Sequence, residues 1–234
     1  MKLNSGYFST GLWCVGCQKF TVPRQTQHLN GLCEECYLQL PWYQRDLCFF
    51  CGHLHLSGEC SERFGSDVRE YRAIFNYHEP ISEWISALKY SRNLAKGRLL
   101  KTLVNQWFYA NESWVTDFDV MVPIPIHYGR LRLRGFNQTS YLIRDQTIIP
   151  TAPRLIIKTR RTLHQASLPG KKRFSNLQHS FKASPQVKGK RILLFDDVCT
   201  TGQTLDQVAY QLKKSGAQEI CAVSLARTQS HRFT

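Results

Sequence analysis

A mostly parallel, doubly wound α/β sheet, preceded by a small cysteine-rich metal module, is the architecture this 234-residue sequence predicts. Two observations lead there. Seven of the nine cysteines fall within the first 60 residues, and six of them form C-x-x-C pairs. Beyond residue 68, helical and strand periodicities alternate, ending in the run Arg191–Phe195, a helical stretch, and the run Ile220–Leu225, which together read as a βαβ unit. Residues 1–65 are therefore assigned to the module and 66–234 to the α/β domain.

Composition supports a packed core and excludes a disordered chain, with 42% hydrophobic, 12% aromatic and 21% charged residues. No segment approaches the roughly 18 apolar residues of a membrane span. Met1-Lys2-Leu3-Asn4-Ser5 lacks the apolar centre of a signal peptide, so the expectation is a cytoplasmic protein with no membrane insertion. Lys and Arg exceed Asp and Glu by 31 to 17, a formal +14. Such an excess suits an anionic partner such as nucleic acid or phosphate, although solubility alone also accounts for part of it. The excess is concentrated: no acidic residue lies between Asp145 and Asp196, where Arg154, Lys158, Arg160, Arg161, Lys171, Lys172 and Arg173 are among the cations.

In the module, Cys14-x2-Cys17 and Cys33-x2-Cys36 supply four thiolates for one tetrahedral zinc, each pair placed by a tight turn. All four positions would be sulfur, which leaves none for water and makes the zinc structural. Disulfides fit poorly in a reducing compartment. A second group, Cys48, Cys51 and Cys60, is one thiolate short because Arg63 stands where a fourth cysteine would fall; His53 or His55 could complete it.

The elements of the second domain follow in order. Tyr71, Ala73, Phe75 and Tyr77 alternate as in a half-buried strand, and Pro80 opens a helix with Ile81, Trp84, Ile85 and Leu88 on one face. Asn93 is a candidate cap for a helix with the stripe Leu99, Leu100, Leu103, Val104 and Trp107. Val120-Met121-Val122 forms a short strand ending at Pro123; a basic loop then leads to a helix over 136–146, and Leu155-Ile156-Ile157 makes another strand. The continuous apolar run Ile192–Phe195 marks a strand buried on both faces. A turn over 196–202 then leads to a helix with Leu205, Val208, Ala209 and Leu212 on one face, closed by Lys213, Lys214 and Gly216.

In open parallel sheets ligands gather at the carboxyl ends of the strands, here the segment Asp196-Asp197-Val198-Cys199-Thr200-Thr201-Gly202-Gln203-Thr204. Its hydroxyls and the free N–H groups of the following helix make a phosphate cradle, and the paired carboxylates suit polyol hydroxyls or a divalent cation. Phosphate plus diol points to a phosphorylated sugar. Neither a P-loop nor a dinucleotide fingerprint is present.

Ile192–Thr204 resembles the phosphoribosyl-pyrophosphate (PRPP) signature of type I phosphoribosyltransferases. Val122-Pro-Ile-Pro-Ile126, Arg134-Gly-Phe-Asn-Gln138, and Thr162-x2-Gln165 followed by Arg173-x2-Asn176 narrow the resemblance to the competence protein F (ComF/GntX) family, which also carries N-terminal cysteine pairs. The resemblance implies a type I phosphoribosyltransferase-like fold and a PRPP-binding set of Asp196, Asp197, Thr200, Thr201, Gly202, Gln203 and Thr204. The acids hold the ribose hydroxyls and the threonine loop wraps the 5′-phosphate, with Mg²⁺ accompanying PRPP. Two departures stand out: Arg63 replaces a cysteine common in this branch, and Thr200 replaces the aspartate of purine-salvage enzymes, which argues against a hypoxanthine-type reaction.

On that resemblance Arg130, Arg132 and Arg134 form a pyrophosphate clamp, because a leaving pyrophosphate needs cationic donors. Arg160, Arg161, Lys171, Lys172 and Arg173 lie in a segment similar to the mobile flap of these enzymes. Asn137 and Gln138 either contact pyrophosphate or cap the helix over 136–146. Cys199 reads as packing rather than as a nucleophile, and Cys221 as a small core residue.

Two functions follow. One is an enzyme, a phosphoribosyltransferase (pentosyl glycosyltransferase) or PRPP hydrolase, with no acceptor group evident. The other is a nucleic-acid-binding factor that uses the PRPP pocket as a sensor without catalysis. The resemblance implies a role in natural transformation, in DNA uptake and the handling of internalised single-stranded DNA, alongside other competence or DNA-processing proteins. Basic charge and the aromatics Trp13, Phe20, Tyr37, Trp42, Tyr43, Phe49 and Phe50 suit base stacking.

Overall fold

The computed structural model describes residues 12–21, 31–43, 67–159 and 180–228. A short antiparallel hairpin, β1 (Leu12–Trp13) and β2 (Phe20–Thr21), and helix α1 (Glu34–Leu38) carry the first four cysteines. After β3 (Glu70–Asn76) come helices α2 (Ile81–Tyr90), α3 (Leu94–Ala110) and α4 (Glu112–Val115), then β4 (Val120–Pro123). Helices α5 (Tyr128–Arg134) and α6 (Gln138–Leu142) precede β5 (Ile156–Lys158) and β6 (Phe181–Ala183). The chain closes with β7 (Arg191–Cys199), α7 (Gln203–Lys214) and β8 (Glu219–Arg227).

Four of these strands form one parallel sheet in the order β3-β8-β7-β4, with β7 and β8 in the middle. Both central strands are buried on both faces, as their unbroken apolar runs require. On one face Leu193, Phe195 and Val223 pack with Trp84 and Leu88 of α2 and Leu100, Leu103 and Phe108 of α3. On the other, Ile192, Leu194, Ile220 and Ala222 pack with Leu205, Val208, Ala209 and Leu212 of α7. Each such buried leucine or isoleucine contributes about 1.5–3 kcal/mol, so the sheet holds its helices by apolar burial on both sides. The predicted cap is present: Asn93 Oδ1 accepts from the Lys96 N–H at 3.1 Å.

Both edges of the sheet are covered. Along β3, Asn76 N–H donates to Pro41 O at 2.7 Å and Tyr43 N–H to Ile74 O at 2.9 Å. Trp42 bridges antiparallel to Phe75 between them, ring centroids 4.5 Å apart. Along β4, Met121 N–H donates to Pro150 O at 2.8 Å and Ala152 N–H to Met121 O at 2.9 Å.

Away from the end of β7, the structure departs from the sequence reading in three places. The basic segment after Pro125 is helix α5 rather than a loop. His127 accepts the Gly129 N–H at its start, and Gly135, at φ 84°, ends it in the left-handed conformation that glycine adopts without strain. That glycine also delays the next helix, so the expected 136–146 helix is regular only over Gln138–Leu142. Finally, β5 stands outside the main sheet and pairs antiparallel with β6, because Thr151 already occupies the edge of β4.

Candidate functional site

The site is built on β7. This strand runs on through Cys199, so Asp196 and Asp197 lie inside it rather than in the turn the sequence suggested. The cause is β8, which extends to Arg227 and pairs on either side of Asp197, Ser224 facing Asp196, Ala226 facing Val198 and Arg227 facing Cys199. Only Thr200, Thr201 and Gly202 remain as the connection to α7. The two threonines are exposed, Gly202 sits at φ 75° and starts the helix, Gln203 is half-buried, and Thr204 is exposed on the first turn. The free N–H groups at the start of α7 and three exposed threonines thus follow the acids within eight residues of chain.

Both acids are buried, at 9% and 6% exposure. Asp196 Oδ1 accepts the Asp197 N–H at 2.8 Å, and Lys89 Nζ of α2 lies 3.0 Å from Asp197 Oδ2. Burial, followed by the charge of Asp197, raises the Asp196 pKa to about 7; Lys89 and Lys158 pull it the other way. Lys158, at the end of β5, is itself lowered by burial and by Arg130. Lys89 and Lys158 therefore act on the acid pair from two elements, and Arg130 of α5 acts in turn on Lys158. The sequence reading assigned no role in the site to either lysine. A signal existed for one of them: Lys89 is eight residues after Ile81 and four after Ile85, so it continues the apolar stripe of α2.

The three arginines of α5 have different surroundings. Arg130 is near enough to Lys158 for its charge to act there, Arg134 lies 5.4 Å over the ring of Tyr90, and Arg132 is exposed, 5.8 Å over Tyr128 of its own helix. Asn137 takes the capping role, accepting the Thr139 N–H at 3.1 Å and donating to Ile124 O at 3.1 Å. Gln138 is buried. Arg160, Arg161, Lys171, Lys172 and Arg173 of the expected flap lie outside the described residues, as do Cys48, Cys51, Cys60, His53 and His55.

In the module, the sulfurs of Cys14, Cys17, Cys33 and Cys36 all lie within 4.8 Å of one another, with Cys17 Sγ and Cys33 Sγ 3.9 Å apart. Ligand sulfurs around a tetrahedral zinc sit about 3.8 Å apart, so the four could hold such an ion. The N–H groups of Cys17 and Cys33 point at Cys14 Sγ, at 3.5 and 3.3 Å. Burial resists ionisation of Cys14, but these donors outweigh it and bring its pKa down to about 7, whereas burial and the neighbouring thiols push Cys36 up. Four thiolates this close need a cation among them. The aromatics divide: Tyr37 and Trp42 pack on the core, Tyr43 is buried, and Trp13 and Phe20 stand exposed in an edge-to-face pair.

The phosphoribosyl transferase domain model matches residues 141–233, the stretch that contains β5 to β8. The parallel sheet is accordingly a phosphoribosyltransferase-type fold. Competence protein F of Haemophilus influenzae is 26% identical over 233 residues, covering 92% of this chain and 96% of its own. DNA utilization protein YhgH of Escherichia coli is 28% identical over 208 residues, covering 85% and 91%. Competence protein ComFC of Streptococcus pneumoniae is 24% identical over 201 residues, covering 84% and 87%. Among the described residues no helix is long and apolar enough to cross a membrane. With a cysteine cluster at one end, a phosphoribosyl transferase domain at the other and similarity along nearly the whole length, the chain is a homologue of competence protein F, ComFC and YhgH that carries a phosphoribosyl transferase domain.

Proposed function

We propose that this protein binds PRPP with Mg²⁺ at the carboxyl end of β7, transfers or hydrolyses its phosphoribosyl group, and serves in the cytoplasm in the handling of internalised single-stranded DNA. The observation that carries this is the buried pair Asp196 and Asp197 immediately ahead of the Thr200–Thr204 turn and the N-terminus of α7. Ribose hydroxyls donate to the two carboxylates, while the 5′-phosphate accepts from the loop hydroxyls and helix N–H groups. The Asp196 carboxylate, whose ionisation is opposed by burial and by Asp197, favours a cation beside it. Phosphoribosyl transfer breaks the bond between the anomeric carbon and pyrophosphate, and Arg130 and Lys158 stand where cationic donors can meet the departing charge. Asp196 or Asp197 would hold the Mg²⁺ that accompanies PRPP, which would further neutralise that charge. DNA handling is the role suggested by the names of the relatives, competence protein F and DNA utilization protein.

The test is calorimetric titration of PRPP with Mg²⁺ into the metal-replete protein and into Asp196→Asn/Asp197→Asn. Binding in the wild type that is lost in the double variant supports the reading; no binding in the wild type removes it.

In this reading residues 1–65 form a zinc module, with Cys14, Cys17, Cys33 and Cys36 as the ligands. A second functional reading, a nucleic-acid-binding factor whose PRPP pocket is a sensor without turnover, is favoured by the exposed Trp13 and Phe20, their rings 5.9 Å apart, on a chain of formal charge +14. Release of pyrophosphate from PRPP in the presence of single-stranded DNA separates the two. PRPP that alters DNA affinity without being consumed favours the sensor.

A further inference from the structure

Lys89 occupies a position that the PRPP reading alone does not explain. Its ammonium lies 3.0 Å from Asp197 Oδ2, with the two side chains 17% and 8% exposed. Withdrawing a lysine this far from water is costly unless an anion receives it. The contact is an ion pair rather than a hydrogen bond, since Asp197 Oδ2 accepts none among the described residues, and an ammonium has three N–H donors to offer. The residues after it fasten α2 to α5: Arg134 stacks over Tyr90 at 5.4 Å, and Arg92 Nη2 donates to Leu133 O at 3.0 Å. Lys89 therefore stands between the acid pair and the arginine-bearing helix.

We propose that Lys89 is a further ligand-binding residue of this site, holding Asp197 in the free protein and donating to a pyrophosphate oxygen of the bound ligand. The inference rests on the PRPP reading and deepens it. When the carboxylate of Asp197 turns to a ribose hydroxyl or a cation, the lysine is left with unmet donors beside the most highly charged part of the ligand. It receives pyrophosphate while remaining beside Asp197. One side chain thus links the sugar half of the site to the pyrophosphate half.

The experiment compares Lys89→Met and Lys89→Arg with wild type by calorimetry, using inorganic pyrophosphate, ribose 5-phosphate and PRPP, each with Mg²⁺. Lys89→Met is expected to weaken pyrophosphate and PRPP at least about tenfold, and ribose 5-phosphate by less than about threefold. Lys89→Arg is expected to recover most of the loss. Equal losses for all three ligands would make Lys89 only a prop for Asp197 and overturn the proposal, as would no loss at all. If Lys89→Met fails to fold because a buried carboxylate is stranded, Asp197→Asn against Asp197→Asn/Lys89→Met gives the same comparison without that charge. A wild-type protein that binds none of the three ligands overturns the PRPP reading itself, and that result is visible before any variant is made.

Discussion

Arg227 Nη1, at the last residue of β8, lies 3.3 Å from Cys199 Sγ, at the last residue of β7. Both residues are buried, and the Arg227 guanidinium also lies 5.3 Å from the ring of Tyr71, whose hydroxyl meets Ser224 Oγ at 2.5 Å. Burial pushes the Cys199 thiol up to about 11, and the Arg227 charge only partly offsets it. The one cysteine next to the candidate site is thus a poor nucleophile at neutral pH. Iodoacetamide at pH 8 is expected to spare Cys199 in the folded protein and to label it after denaturation, as read by peptide mass spectrometry. Cys199→Ser should keep ligand affinity within about threefold.

Arg130 and Arg132 differ by two residues on one helix and therefore point in different directions. Arg130→Glu, which replaces the positive charge acting on Lys158 with a negative one, is expected to weaken PRPP binding by more than about tenfold. Arg132→Glu should leave it within about threefold. Equal effects of the two reversals would mean that α5 acts as a diffuse basic surface. Fluorescence anisotropy with a labelled oligonucleotide, run in parallel, shows whether DNA uses the same arginines.

The Asp196 carboxyl adds a dependence of stability on pH. Its pKa, about 3.8 in the unfolded chain, is raised to about 7 in the folded one by burial and by Asp197. The folded protein therefore binds more protons than the unfolded chain between these values, and this group's contribution to stability is lost as pH rises through that window. Asp196→Asn should stabilise the protein at pH 8, by on the order of 1 kcal/mol, and change little at pH 4. Denaturant unfolding at the two pH values checks this. An equal gain at both would place the effect elsewhere.

The cysteine module makes a quantitative prediction about metal. Cys14 is buried and receives two backbone N–H groups, so Cys14→Ser is expected to remove one zinc per chain relative to wild type, counted by atomic emission. Because little apolar surface lies among these residues, metal loss should destabilise the module by several kcal/mol, on the order of what structural zinc contributes in small domains. Near-ultraviolet signals from Trp13 and Trp42 would report it.

The parts of this molecule legible in its sequence are those set by local periodicity. Ile192–Phe195 is apolar without interruption because both faces of β7 are covered; Asn93 precedes an amphipathic stretch because a helix start needs an acceptor; paired cysteines are two residues apart because one turn aims both sulfurs at one point. What escaped depends on contacts distant in sequence. Lys89 meets Asp197 more than a hundred residues later. The acids belong to the strand only because β8 is long enough to pair with them, and β5 is excluded from the main sheet only because Thr151 takes its place. In Tyr128–Arg134, arginines alternate with glycine and leucines, which conceals a helix fixed instead by His127 at its start and Gly135 at its end.

The covered edges of the parallel sheet limit how this protein can assemble. An open parallel sheet ordinarily presents two rows of unsatisfied backbone groups that can recruit a foreign strand. Here Pro41–Tyr43 occupies one row and Pro150–Ala152 the other. The stretch of β3 beyond Pro41–Tyr43 carries charged Glu70 and Arg72, paired with each other at 2.7 Å. Strand-by-strand growth, the usual route from an exposed sheet to fibrils or swapped dimers, is thereby obstructed at both borders. Among the described residues, the surfaces left to a partner or a second copy are helices, turns, the β5–β6 pair and the cysteine module.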